Sequence, residues 1–209
     1  MNTRLQVEHS ITEEIIGVDL VKEQINIGNS RKLSDSSETL EILSHSIELR
    51  VYAEDPANDF LPDVGTLITH NVPKGPGVRV DDGFEQGMTL PNQYDPMISK
   101  LITHGKDREE VRRRMIRAKD DYKISGIEIT LGFCKFTLQH SEFMSEHYNT
   151  DFVEKYFSSE QLKSHLNNEK EIIASIAVLI FLQDQSKNQE IKPKSDHYKS
   201  STWRNRLIK

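Results

Sequence analysis

The sequence predicts an α+β fold, a small antiparallel sheet followed by helices, and three observations carry that expectation. Between residues 46 and 104, polar and apolar residues alternate in short runs broken by Gly, Pro and Asp, the two-residue period of strands with one covered face. From Asp107 onward the apolar spacing lengthens to that of amphipathic helices. Strands grouped before helices argue for segregated layers.

Along the chain, Met1–His9 alternates strongly, with Asn2, Arg4, Gln6 and Glu8 on one side; it reads as a strand with a polar ridge. Ser10 and Glu13 have capping-box spacing. Ile11, Ile15, Val18 and Ile25 continue one helix until Gly28–Asn29 stops it. Arg31–Leu43 is a Ser/Asp/Glu-rich surface connection. Ser46–Glu54 is a strand with Ile47, Leu49, Val51 and Ala53 inward and Glu48, Arg50, Tyr52 and Glu54 outward. Short strands follow at Gly65–His70, Val78–Val80 and Ile98–His104, punctuated by Pro73–Gly77 and Asp81–Gly83. Asp107 and Glu110 cap a helix with a Val111, Met115, Ala118, Tyr122 stripe, whose Arg112–Arg114 run reads as its solvated face. Further helices are expected at Ile127–Gln139, Asp151–Tyr156 and Asn168–Gln185.

Composition narrows the classes of function. The chain has 209 residues, enough for one domain or slightly more, with 27 Lys+Arg against 33 Asp+Glu and a net charge of −6. The longest apolar stretch, Ile172–Leu182, falls short of the roughly 20 residues a membrane span needs, so no membrane role is expected. No basic-then-apolar leader opens the chain; a cytoplasmic protein is the expectation. The single cysteine, Cys134, excludes an internal disulfide and any multi-cysteine metal site, and its place on an apolar stripe makes it a core residue. The segment Lys187–Lys209 is basic. No nucleic-acid motif accompanies it, so a solvated or partner-facing tail is expected and nucleic acid is not.

Two places can carry chemistry. On the opening segment, Asn2 can reach a metal or phosphate, Arg4 can hold a planar anion bidentately and Glu8 can act as a base; the same ridge is also what the solvent face of an edge strand looks like. Arg50, flanked by Glu48 and Tyr52, is either a second anion-binding arginine or half of a structural Arg–Glu pair. The eight histidines lack metal-ligand spacing, and neither Gly65–Thr66 nor Lys74–Gly77 matches a phosphate-cradling glycine loop.

The run Met1-Asn2-Thr3-Arg4-Leu5-Gln6-Val7-Glu8-His9, then Thr12-Glu13 and Gly17-Val18-Asp19-Leu20-Val21-Lys22-Glu23-Gln24, resembles the catalytic signature of biotin carboxylase, a member of the ATP-grasp superfamily. The resemblance continues through His45–Pro56, Phe60-Leu61-Pro62, Gly77-Val78-Arg79 and Tyr94–Ile102, covering residues 1 to about 160. The helix at Glu169–Gln185 and the pieces Ile191-Lys192-Pro193 and Trp203 are similar to the α-subunits of acyl-CoA carboxylases of the propionyl-CoA and acetyl-CoA types. No biotin-attachment Met-Lys-Met sequence is present.

The resemblance implies an organisation: residues 1–30 as the end of an ATP-grasp domain, 31–160 as the biotin carboxylase C-terminal domain, and 161–209 as a helix and the start of a carboxyltransferase-docking domain. It implies a ligase that carboxylates biotin with bicarbonate and ATP through carboxyphosphate. ATP, Mg²⁺ or Mn²⁺, and biotin carried on another domain or protein are the implied cofactors. Asn2 would help hold the metal. Arg4, Gln6, Val7 (through its backbone), Glu8 and Arg50 would hold bicarbonate, with Arg4, Glu8 and Arg50 catalytic. Arg50 would also contact biotin, and Asp95 would orient Arg50. The implied partners are the N-terminal ATP-grasp half, a biotin carboxyl carrier domain, a carboxyltransferase subunit and, through the Gly77-Val78-Arg79 region, a second copy of the chain. In a eukaryote the compartment would be the mitochondrial matrix.

Two departures from the family pattern stand out. Ser10 occupies a position where the family usually has proline, which is expected to change only the entry to the helix. The family's metal-binding glutamate before the position of Met1, its glycine-rich lid and its ATP-binding lysines are not in this sequence, so these residues alone are expected neither to bind ATP tightly nor to turn over. Two other readings remain: a non-catalytic assembly module for a carboxylase partner, and the same region of a pyruvate or urea carboxylase.

Overall fold

The computed structural model describes residues 2–33, 40–91, 93–160 and 171–183, in two units, Met1–Lys163 and Ser164–Lys209. In the first, helices α1 (His9–Ile16) and α2 (Leu20–Gly28) precede strand β1 (His45–Tyr52). A short ribbon of β2 (Glu54–Asp55) and β3 (Leu61–Pro62) flanks a 3-10 turn at Pro56–Asn58. Strands β4 (Thr69–Asn71), β5 (Val78–Asp82) and β6 (Met97–Gly105) lead into helix α3 (Arg108–Asp121) and strand β7 (Lys123–Ser125). Helices α4 (Leu131–Gln139), α5 (Ser141–Met144) and α6 (Phe152–Tyr156) complete the unit. Within the second unit, residues 171–183 are helical.

The main sheet has the order β1-β6-β5, and β4 pairs separately with β7. Every strand pair among the described residues is antiparallel, as the alternating pattern predicts. Its two faces have opposite chemistry because successive side chains point to opposite sides. Ile47, Leu49, Val51, Val78, Val80 and Leu101 meet Met115 and Ala118 of α3 in the main core. The other face carries Glu48 and Arg50 from β1, Lys100 from β6, and Arg79 and Asp81 from β5, and α1 packs over it. The register makes Arg50 and Asp81 the direct neighbours of Lys100, one on each side. A charged row thus crosses the sheet beneath α1.

Several elements differ from the sequence expectation. The opening segment is not a strand. Nothing among the described residues pairs with residues 2–8; instead the Gln6 carbonyl accepts from His9 N (3.2 Å) and the Glu8 carbonyl from Ile11 N (3.1 Å), a turn that runs into α1. Alternation alone cannot make a strand without a neighbouring strand to bond. Ser10 and Glu13 do not form a capping box: α1 begins at His9 with no side-chain cap. The single predicted helix is two, because Gly17 adopts φ +72° at the end of α1 and Asp19 caps α2 by accepting from Lys22 N. Asp107 caps α3 through Glu110 N at 2.8 Å, as predicted.

The helix expected from Ile127 starts only at Leu131. Gly126 at φ +103° brings the chain so close to Thr66 that a Cβ could not fit; Ile127 and Ile129 pack on the core from the loop that follows. Of the Gly65–His70 run, only Thr69 onward is in a strand. Within Arg112–Arg114, Arg113 is exposed, whereas Arg112 donates to the Leu138 carbonyl (3.0 Å) and Arg114 to Glu110 and the His104 carbonyl. Cys134 is core, and burial pushes its thiol up to about 12. The basic tail and both ends of the Asn168–Gln185 helix lie outside the described residues.

Leu101 is fully buried and packs under α3. Leu101→Ala should therefore lower the urea-denaturation free energy of the chain by about 2–5 kcal/mol. Leu61→Ala, at an exposed position, should stay within about 0.5 kcal/mol of the parent.

Candidate bicarbonate and biotin site

The turn at residues 6–9 is fastened to the charged face of the sheet. Glu8 and Arg50, 42 positions apart, meet with Oε2 to Nη2 at 3.0 Å. Arg50 Nε also donates to Glu48 Oε1 at 3.3 Å. Against the cost of burial, the Glu48 bond and Tyr52 hold the Arg50 guanidinium above its ordinary value, so it stays charged. The Glu48 side chain is 4% exposed. Burial raises its carboxyl above the usual range, the Arg50 bond only partly opposing it. Its second oxygen, Oε2, has no hydrogen-bond partner.

Lys100 is the anchor that sequence reasoning missed. Its ammonium, on a side chain 9% exposed, donates to the Val7 carbonyl at 3.0 Å and to Ser10 Oγ at 2.7 Å, and lies 3.2 Å from Asp81 Oδ2. Three donors thus meet three acceptors, which is what a buried lysine requires. Ser10 donates in turn to Asp81 Oδ2 at 2.8 Å. Ser10 does more than change the helix entry: it is fully buried and bonded into the charged row. Burial alone would raise the Asp81 carboxyl, but hydrogen bonds from Arg79, Ser10 and Lys100 bring it down to about 2. Arg79 spans the end of the row, donating to Asp81 Oδ1 (2.8 Å), Glu13 Oε2 (2.8 Å) and Glu14 Oε1 (3.3 Å). The available signal was a lysine inside the apolar run Met97–Thr103.

Asn2, Arg4, Gln6 and Glu8 line one groove of about 430 Å³ together with His9, Glu23 and Gln24. Arg4 is exposed and donates to the Leu5 carbonyl at 3.2 Å. Val7 turns its carbonyl to Lys100, and Arg50 reaches the group through Glu8. Asp95 does something else here: it accepts from Met97 N at 2.9 Å and sits near Glu54, whose carboxyl is raised first by burial and then by Asp95. The carboxylate bonded to the inner side of Arg50 is Glu48. Among the described residues no group of three or more His, Cys, Asp or Glu converges, and Asn2 lines the groove.

Residues 48–155, about half of the chain, match the family model described as the biotin carboxylase C-terminal domain. The chain belongs to that family. Residues 1–36 match a second model, the ATP-binding domain of the carbamoyl-phosphate synthase large chain. The chain is 44% identical over 156 residues to biotin carboxylase 1 of Bacillus subtilis, covering 75% of this chain and 35% of the relative. It is 39% identical over 199 residues to the human mitochondrial propionyl-CoA carboxylase alpha chain, 93% of this chain and 27% of the relative. The solved biotin carboxylase domain dimer of Hydrogenobacter thermophilus 2-oxoglutarate carboxylase, with MgADP, ADP and bicarbonate, superposes with TM-score 0.73 at 37% identity, over 74% of this chain and 34% of that one. The chain therefore spans about a third or less of the length of these relatives, and its antiparallel sheet with flanking helices is part of the biotin carboxylase architecture.

Asp81 ties the site to pH. Its carboxyl is held at about 2 in the folded chain against 3.8 for the free group, so its contribution is complete above about pH 4 and is lost as the pH falls toward 2. Thermal melts from pH 2 to 7 should show the melting temperature dropping across that window. In Asp81→Asn the drop should flatten and the neutral-pH melting temperature should be lower; superimposable profiles would remove Asp81 from the anchor.

Proposed function

We propose that these residues form the bicarbonate- and biotin-handling part of a biotin-dependent carboxylase of the acyl-CoA type, which makes carboxybiotin from ATP, bicarbonate and biotin. The observation that carries this reading is the meeting of Glu8 and Arg50 at 3.0 Å beside the groove lined by Arg4, Gln6 and Glu8: a base, a guanidinium and an amide on one small space, with a second guanidinium joined to it through the base. Bicarbonate is a planar anion that must be held and then deprotonated, and this set does both. Arg4 and Gln6 hold its oxygens, with the Val7 backbone setting the floor. Glu8 takes its proton, and the freed oxygen attacks the γ-phosphorus of ATP to give carboxyphosphate and ADP.

The carboxyl group of carboxyphosphate then passes to the ureido nitrogen of biotin, with phosphate as the leaving group and acceptor of that nitrogen's proton. Negative charge develops on the ureido oxygen as that nitrogen loses its proton, and Arg50, kept cationic and aimed by Glu48, stabilises it. Asp95, which accepts from Met97 N, shapes the entry to β6. A divalent metal, when bound with ATP, neutralises phosphate charge, and Asn2 supplies one ligand toward it. Val21, Ile25 and Ile27 of α2, with Ile42 and Leu43, are exposed apolar residues. They form the surface against which the rest of an ATP-grasp domain packs. The domain division at about residues 30 and 160 belongs to this reading, as do a biotin carboxyl carrier domain, a carboxyltransferase and a homodimer as partners.

Complementation tests the proposal. Mixed with a polypeptide carrying a biotin carboxylase ATP-binding half, the chain should support bicarbonate-dependent ADP release and carboxylation of free biotin. Alone it should support neither, and turnover by the isolated chain would contradict the division of labour. In the complemented enzyme, Arg50→Ala should lower biotin carboxylation roughly 10²–10³-fold, while bicarbonate-dependent ATP cleavage persists in part. Unchanged carboxylation would remove Arg50 from the mechanism.

A further inference from the structure

We propose that Lys100 is a positioning residue for bicarbonate, setting the Val7–Glu8 peptide from the sheet face beneath it; the inference rests on the bicarbonate reading above. Arg50 and Lys100 are direct cross-strand partners on β1 and β6, so their side chains rise side by side from the same face. Each grips one half of the same short segment. Arg50 holds the Glu8 carboxylate at 3.0 Å, and Lys100 holds the Val7 carbonyl at 3.0 Å. The Val7–Glu8 peptide is planar and trans. Turning its C=O down to Lys100 therefore turns its N–H the other way, and it fixes the direction in which Glu8 leaves the backbone.

Two features argue that this contact orients the turn rather than merely filling space. The Lys100 ammonium spends its other two donors on Ser10 Oγ and Asp81 Oδ2, so it cannot swing without leaving buried charge unpaired. Ser10 is the second residue of α1, and its hydroxyl bonds both Lys100 and Asp81. The start of the helix and the carbonyl two residues before it are thus referred to one point on the sheet. Among the described residues no strand pairs with residues 2–8, so this point and the Arg50–Glu8 pair set where the turn lies.

The test compares Lys100→Met with the parent chain, each complemented with the ATP-binding half. The expected result is a rise in the KM for bicarbonate of about tenfold to hundredfold, the loss of one charge-assisted hydrogen bond. The KM for ATP should be unchanged. In the isolated chain, hydrogen exchange at His9 and Ile11, whose amides close the turn, should accelerate, while residues 108–121 keep their protection. Lys100→Gln retains a neutral donor and should fall between the two, and it replaces the Met variant if that one does not fold. A bicarbonate KM equal to the parent's, or a lower kcat with that KM unmoved and exchange faster throughout, overturns the positioning role while the functional reading stands. A parent chain that gives no bicarbonate-dependent ADP release overturns both.

Discussion

The seating of the turn that carries Glu8 depends on one buried ammonium. Lys100 lies at the centre of a row of charges that crosses a three-stranded sheet, and among the described residues it is what ties the backbone of the segment bearing Gln6, Val7 and Glu8 to that sheet. An isolated cation at this depth would be too costly to keep; here it is matched by a carbonyl, a hydroxyl and a carboxylate. The carboxylate is in turn held by Arg79, which reaches on to Glu13 and Glu14 of α1. The helix is therefore seated on the sheet by polar contacts, whereas α3 on the opposite face is seated by Leu101, Met115 and their apolar neighbours. One sheet carries a core on one side and a site on the other.

This division explains why the site can be partly assembled within a chain that spans about a third of its relatives' length. The apolar face holds β1, β5 and β6 in register, and the register brings Arg50, Lys100 and Asp81 into line. The line fixes the turn, and the turn presents Glu8 to Arg50. Buried ion pairs contribute little net stability but penalise misalignment heavily, which suits the task proposed for this arrangement, keeping Glu8 and Arg50 at a set separation.

Much of the fold was legible in the sequence because it rests on local period: the alternation of Ser46–Glu54 places Val51 inward and Arg50 outward, and Asp107 and Glu110 mark the start of α3. The misreadings arose where a tertiary partner decides. Residues 2–8 alternate like a strand, yet no described strand lies beside them. The apolar spacing from Ile11 to Ile25 reads as one helix, but the left-handed conformation of Gly17 divides two. Ser10 and Glu13 have capping-box spacing, yet both are drawn into the charged row by Lys100 and Arg79, more than 60 positions away. Arg4, Glu8 and Arg50 stood out by residue type and alternation, whereas Gln6 and Val7 were picked out only through resemblance to a family motif. Lys100 was not picked out at all, because a lysine in an apolar strand declares its role only when its acceptors, Val7, Ser10 and Asp81, are seen around it.

The most direct test is a crystal structure of the chain complemented with its ATP-binding half and soaked in bicarbonate. The account predicts the anion between Arg4 and the turn at Gln6–Glu8, with Glu8 within hydrogen-bonding reach and the Val7 carbonyl still on Lys100 at about the 3.0 Å seen here. An anion bound elsewhere, or one held by a turn that has left Lys100, would contradict it.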